Sequence, residues 1–357
     1  PSVRGLTVLL TGHTLFETLA LNLIGYNRSR PFPWQGDDLA AWEQDDPPEP
    51  DRAGTTPCGY VDYLTWQGRR IELCAEPSNR PPGILVTHCR VRQNLKLAEG
   101  RPPDLMKAYQ RDDRRGLFPV SADESRAVWR DCHALLEFRG DEFKRPEAFN
   151  WIARAKQEGA IPKHAGLTFS VLGLAMAKGK AANMRLWRHE RLPLPLAYLD
   201  DTDLIERLRL SLAVAKEASG VLWDGCRWFA KLVLLRSENK RTNKQQEAEI
   251  QQLVSSLDPE GRYWSRLEVP FRSFLEALPG GEDTDAEAES HHRDEAVARW
   301  RAVVRKTAIA VFRGTIARFD GSARLLKAAI QAEAKFYHDL NKYLPKEEDT
   351  NEPAKPA

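Results

Sequence analysis

The feature that most limits how this chain can fold is a pattern of apolar residues at helical spacing that begins after Pro195 and lasts almost to its end. From Asp203 to Leu235 the residues Leu204, Leu208, Leu212, Ala215, Leu222, Phe229 and Leu232 mark one face of a helix. Asp200 to Thr202 supply N-cap chemistry ahead of them. A second helical stretch starts near Lys244, breaks around Pro259-Glu260-Gly261 and resumes from Tyr263 to Leu278. The acidic segment 279–290 is expected to be a flexible crossover that leads to a third helix from about Arg293 to Phe319. After a tight break at Asp320-Gly321, a fourth helix is expected from Ser322 to Tyr343. Long amphipathic helices with polar links predict a four-helix bundle over 198–344. The charged, proline-bearing tail 345–357 is expected to be disordered.

The residues ahead of this region read differently. Leu6 to Leu10 is a short β run and Thr14 to Ile24 an apolar helix, followed by a proline-rich loop over 29–57 that suits neither a helix nor a central strand. Gly59 to Cys74 reads as two aromatic β runs separated by Gln67-Gly68, with Tyr60, Tyr63 and Trp66 on one face of a sheet. Ile84 to Val91 is another strand, and Ser125 to Phe138 and Pro146 to Gln157 are helices. Leu167 to Met176 and Asn183 to Leu192 are β runs joined by a glycine-bearing link, the signature of a hairpin over 167–192. The predicted fold class is therefore an α+β N-terminal portion, 1–197, followed by an all-α four-helix bundle.

The 357 residues exceed what one ordinary core organises, so two domains are expected. With 42% hydrophobic and 29% charged residues, the composition is that of a soluble globular protein. No run approaches the roughly 18 apolar residues that span a bilayer, so no membrane association is expected. Five widely spaced cysteines suit a reducing compartment, and a cytoplasmic location is expected. There is no phosphate-binding glycine loop and no nucleophile motif, which leaves no residue to name as catalytic and no cofactor to expect. Cys58, Cys74, His88 and Cys89 could converge on a zinc ion if the β runs pair, but the paired spacings of structural zinc sites are missing. The reading as unliganded thiols is favoured. His291-His292 is expected on a solvated loop.

Lysine and arginine number 53 against 51 acidic residues, so any case for nucleic-acid binding rests on local clusters. The hairpin carries Lys178, Lys180, Arg185, Arg188, His189 and Arg191 against one acid, Glu190. A glycine, Gly179, flanked by lysines at a hairpin tip makes a compact probe for a groove, with cations meeting phosphates on either side. The plainer alternative is a solvated turn whose lysines discourage edge pairing. A second cluster, Arg299, Arg301, Arg305, Lys306, Arg313 and Arg318, surrounds the apolar positions Trp300, Val304, Ile309 and Phe312 of the third helix. A third, around Arg90, Arg92, Lys96, Arg101, Lys107 and Arg111, is diluted by acids. Trp223, Trp228 and Phe229 sit at helical spacing and are assigned to the core.

Four segments in order, "VRGLTVLLTGHTLFETLALNLI", "GYVDYLTWQGRRIELC", "AVWRDCHALL" and "LGLAMAKGKAANMRLWRHERLPLPLAYL", resemble the CasA family, the large subunit of the type I-E CRISPR Cascade complex. The likeness extends from Arg4 to about Leu344, and "LTWQGRRIEL" and "LWRHERLPLPL" are its most specific parts. It implies a non-catalytic subunit bound to the other Cascade subunits and the crRNA. Such a subunit recognises the protospacer-adjacent motif in target double-stranded DNA, helps open the duplex and position the displaced strand, and recruits a helicase–nuclease in antiviral defence. It also implies that the first third of the family's length is absent, with the docking loop and the glycine-rich loop beside the motif. A wedge glutamine of the family corresponds to Lys178, beside Gly179, and a minor-groove lysine corresponds to Lys96. In this reading Lys178, Gly179 and Lys180 press at the duplex edge, Lys96, Arg185 and Arg188 hold phosphates, and Arg301 and Arg305 guide opened DNA. The competing reading is a helical adaptor that binds proteins without touching DNA; a hydrolase built on the cysteines and histidines ranks below both.

Overall fold

The computed structural model describes residues 5–23, 37–45, 49, 52–68, 70–76, 85–92, 94–98, 104–114, 116–138, 142–162, 165–176, 184–235, 242–280, 286–319 and 321–345. In chain order the elements are β1 (Thr7–Thr11), α1 (Leu15–Leu21), α2 (Tyr60–Leu64), β2 (Arg70–Glu76), β3 (Leu85–Arg92), β4 (Tyr109–Asp112), β5 (Gly116–Pro119), α3 (Cys132–Leu136), β6 (Phe143–Lys144) and α4 (Glu147–Gln157). They continue with β7 (Leu167–Met176), β8 (Met184–Leu194), α5 (Thr202–Leu235), α6 (Lys244–Leu257), α7 (Pro259–Ala277), α8 (Ala286–Ile316) and α9 (Ala323–Tyr343). The protein mixes helix with small sheets, and its C-terminal region is helical. Two compact units form: Pro1–Leu21 with Ala108–Ala357, and Asn22–Lys107.

In the larger unit β7 is the central strand of an antiparallel sheet, flanked by β1 and β8. Alternate residues Val8 and Leu10, Phe169 and Val171, and Leu192 and Leu194 are buried, as the two-residue period of a half-buried sheet requires. A second small sheet has the order β5-β4-β6. A 3-10 turn, Val128–Asp131, leads directly into α3.

Helix α5 packs against α6, α7, α8 and α9. At 1.5 Å per residue its 34 residues reach about 50 Å. Leu204, Leu208, Leu212, Leu222 and Phe229 are all buried, each contributing about 1.5–3 kcal/mol by leaving water. Gly225 lies where a Cβ would stand 3.0 Å from Phe312 and 3.1 Å from Phe336, whose rings stack with centroids 4.2 Å apart. The small residue therefore lets α5 approach α8 and α9 closely. The polar tips of three buried aromatics are satisfied by carbonyls. Tyr198 Oη donates to Leu275 O (3.0 Å), Tyr263 Oη to Ala215 O (2.9 Å) and Trp300 Nε1 to Ser211 O (3.0 Å).

Local chemistry sets the helix ends. Asn243 caps α6 in a reciprocal box with Gln246, and Ser322 caps α9 through Leu325 N. A single residue, Asp258, separates α6 from α7. It takes the left-handed conformation (φ 46°), and its carboxylate accepts from Gly261 N (3.1 Å), while Pro259 opens α7. The break is thus shorter than the sequence suggested.

Two expectations are corrected. The segment before His291-His292 is not all crossover, because α8 begins at Ala286. Glu287 and Glu289 favour that helix start through the dipole, and Arg293 ties it to Asp201 (2.8 Å) and Asp203 (3.2 Å) at the start of α5. His291 therefore pairs with Glu295 (3.2 Å) one turn on, and His292 Nε2 donates to Ala277 O (2.8 Å).

In the smaller unit, Tyr60–Leu64 is a helical turn rather than a strand. The Asp38 carboxylate accepts from Val61 N and Asp62 N (2.9 Å each), and Asp62 accepts from Cys58 N (2.9 Å). Tyr60 and Tyr63 consequently stack along that turn, 6.5 Å apart, instead of alternating on a sheet face. β2 and β3 pair antiparallel, with Cys74 opposite His88 and Leu73 opposite Cys89. Cys58 and Cys89 are exposed free thiols.

Candidate nucleic-acid interface

β1 pairs with β7 only as far as Leu172. Beyond it the pairs Gly173–Arg188, Leu174–Trp187, Ala175–Leu186 and Met176–Met184 continue as a two-stranded arm past the end of the three-stranded sheet. Gly173 stands at the departure point, where a Cβ would come within 2.7 Å of the Leu6 side chain. The tip residues Lys178, Gly179 and Lys180 lie outside the described residues.

Along β8, Arg185, Trp187, His189 and Arg191 are exposed, while Leu186, Arg188 and Glu190 are partly covered. The strand period puts the first four on one face. Arg185 and Arg188, which the sequence grouped together, thus lie on opposite faces. Arg188 is tied into the fold: it pairs with Glu190 (3.3 Å) and donates to the carbonyls of Asp123 and Glu124 (3.2 Å each). Glu190 in turn accepts from Val128 N (2.8 Å) and Trp129 N (3.1 Å). Trp129 then stacks on Phe271 of α7 (4.6 Å), which meets Trp300 of α8 (5.9 Å). Arg188 and Glu190 of β8 therefore anchor the strand to the helical core, and the alternate residues are left to face outward.

Trp187 escaped the sequence reading, although strict alternation from Arg185 would have placed it. It is 57% exposed, between Arg185 and His189 on that face. A ring in that position leaves an aromatic face open beside a cationic side chain, the chemistry on which an unpaired base can stack.

The other expected contacts are scattered. Lys96, in the smaller unit, is exposed, and its carbonyl accepts from Thr55 N (2.8 Å). On α8, Arg301 is exposed and has no ion pair among the described residues. Arg305 instead donates to Leu344 O and Asn341 Oδ1 (2.7 Å), closing the C-terminal end of α9. Arg299 pairs with Glu295 (3.3 Å) and Arg313 with Glu333 (3.0 Å), so these two cations of the basic stripe already have carboxylate partners within the fold. Burial pushes the Cys226 thiol up to about 12 and the Cys132 thiol well above its ordinary value. Both are protonated packing groups, not nucleophiles.

The family model of the CRISPR-associated protein Cse1 matches residues 1–311. The chain belongs to the Cse1 family. A CasA/Cse1 protein of Thermus thermophilus is 26% identical over 344 residues, which are 94% of this chain and 62% of the relative. This Cse1-family chain thus spans less than two-thirds of that relative's length. Its fold matches the crystal structure of CasA from T. thermophilus (TM-score 0.67, 25% identity, 95% of this chain and 65% of that one). It also matches Cse1 from Acidimicrobium ferrooxidans (TM-score 0.69, 25% identity, 96% and 64%). A chain of a CRISPR RNA-guided surveillance complex shares the fold at 20% identity (TM-score 0.58, 94% and 60%).

Proposed function

We propose that this chain acts as the large subunit of a type I-E CRISPR RNA-guided surveillance complex. In that role it binds target double-stranded DNA beside the protospacer-adjacent motif, assists duplex opening and helps to recruit the helicase–nuclease, without catalysing a reaction itself. The observation that carries the reading is the exposed face of β8, which runs from Arg191 and His189 in the three-stranded sheet to Trp187 and Arg185 on the β7–β8 arm beyond it. Cations on such a face bind phosphates without reading sequence, and the ring can stack on an opened base. Lys178, Gly179 and Lys180 would press at the duplex edge from the tip, and Lys96 and Arg301 would add phosphate contacts. Arg188 and Arg305 are assigned positioning roles, because the fold already engages both. The helices over 198–344 would serve as the family's four-helix bundle and guide the displaced strand.

The test is to add this chain to a complex core that lacks its large subunit, and to follow binding of duplexes with correct and scrambled adjacent motifs at two salt concentrations. Motif-dependent rescue supports the full reading. Salt-sensitive binding without discrimination restricts the chain to backbone contact. A folded chain that restores no binding overturns the proposal.

A second reading, an adaptor that only binds proteins, draws on Leu326 and Ile330, exposed one turn apart on α9 at 62% and 59%. Ionic strength separates the two. Counterion release makes DNA affinity fall steeply with salt, whereas apolar docking is nearly insensitive to it.

A further inference from the structure

A second basic site lies apart from the arm, in a cleft of 810 Å³ within the larger unit, between the Val128–Leu136 segment and helices α5 and α7. Three cations converge there on one carboxylate: Arg126, Arg130 and Lys216 all act on Asp131, which Arg126 already holds in an ion pair. Arg130 differs from its neighbours. Its guanidinium lies 3.8 Å over the Trp264 ring and makes no hydrogen bond to any described residue. Burial, and then repulsion from Arg126, hold its pKa below the ordinary arginine value, although Asp131, Glu260 and Asp123 oppose that shift.

A half-buried guanidinium without an acceptor is costly, and it is not alone in this cleft. Arg126 Nε, His133 Nδ1 and Trp264 Nε1 are also buried with no hydrogen-bond partner among the described residues. Trp264 is 92% buried, and it lines the cleft. Three N–H donors without acceptors in one polar cleft, Arg130 Nε, Arg126 Nε and Trp264 Nε1, point to an acceptor-rich ligand. Acidic residues occupy the other side, where Glu137 and Glu206 act on His133 and Glu206 is held by Arg209 (2.6 Å). That polarity disfavours a long polyanion lying along the whole cleft and favours one compact anion at the basic end.

We propose that the basic end of this cleft binds a phosphate group, with the terminal N–H groups of Arg130 and the Lys216 ammonium as its ligands. Guanidinium donors match phosphate oxygens in pairs, and stacking on Trp264 fixes the plane of the Arg130 fork. The phosphate would be either a free ion or one group of a nucleic-acid strand.

Titration calorimetry of the full chain at low ionic strength tests this, with inorganic phosphate and a ten-nucleotide thymidine strand as separate probes. Arg130→Gln and Lys216→Glu should each weaken phosphate binding by roughly tenfold or more, the loss expected for one charge-assisted hydrogen bond. Lys327→Gln, on exposed α9 surface, should leave it unchanged. Lys216 is exposed, so its variant carries the test if Arg130→Gln does not fold. Parallel loss of strand binding, with phosphate competing, identifies a nucleic-acid phosphate. Loss of phosphate binding with strand affinity intact identifies the free ion. Equal phosphate binding by wild type and Lys216→Glu overturns the proposal.

Discussion

Replacing Glu190 with alanine should destabilise the larger unit by about 3 kcal/mol. The carboxylate accepts from two backbone N–H groups, Val128 N at 2.8 Å and Trp129 N at 3.1 Å, and pairs with Arg188 at 3.3 Å. A hydrogen bond to a charged group contributes about 1.5–3 kcal/mol, and an orphaned buried donor costs a similar amount. The losses overlap because they end on one carboxylate, so the total stays well below their sum. Glu190→Gln should cost only about 1–1.5 kcal/mol, since the amide oxygen still accepts one N–H. Urea denaturation followed by tryptophan fluorescence measures both. Arg188→Met and the double variant complete a cycle whose coupling should be about 1 kcal/mol. If Glu190→Ala unfolds within about 0.5 kcal/mol of wild type, the size of an ordinary surface substitution, the anchor does not exist as described. In that case Trp129 is held by aromatic packing alone.

Arg185→Glu combined with Arg191→Glu should reduce the salt slope of duplex binding by about 2, near one unit per lost phosphate contact; an unchanged slope removes this face of β8 from the interface. Trp187→Ala should weaken binding to opened DNA by about 1–3 kcal/mol, judged by fluorescence anisotropy on mismatched and paired duplexes. Gly225→Val should cost about 1–3 kcal/mol in thermal or urea unfolding, because its branches meet the stacked Phe312 and Phe336 rings. Burial holds the His133 imidazole down at about 4 from its ordinary 6.5, so the folded chain refuses a proton that the unfolded chain accepts. Stability from this group is complete above pH 6.5 and falls as pH drops toward 4, by about 2–3 kcal/mol. His133→Gln should flatten that part of the stability–pH curve.

Much of the helical region was legible in the sequence because its information is local. The apolar period from Leu204 to Leu232 specifies one buried face, and Asn243, Pro259 and Ser322 supply the chemistry of helix starts within a few residues of where it is used. The β7 and β8 runs were legible for the same reason. Tyr60 to Leu64 was misread because the group that makes it helical, the Asp38 carboxylate, lies more than twenty residues away. The start of α8 was misread because acidic residues look like a loop until Arg293 pairs with Glu289 and with Asp201 ahead of α5.

What the sequence determined about function was a cluster: basic residues on a hairpin, and the order of motifs that places the chain in its family. It could not say which cations are available. Arg185 and Arg188 are indistinguishable as letters. Tertiary packing puts one against solvent and the other against Glu190 and the carbonyls of Asp123 and Glu124, just as it turns Arg305 into a helix cap and leaves Arg301 outside. An arginine acts as a ligand for DNA only when no nearer acceptor claims it, and which acceptors are near is settled by the fold.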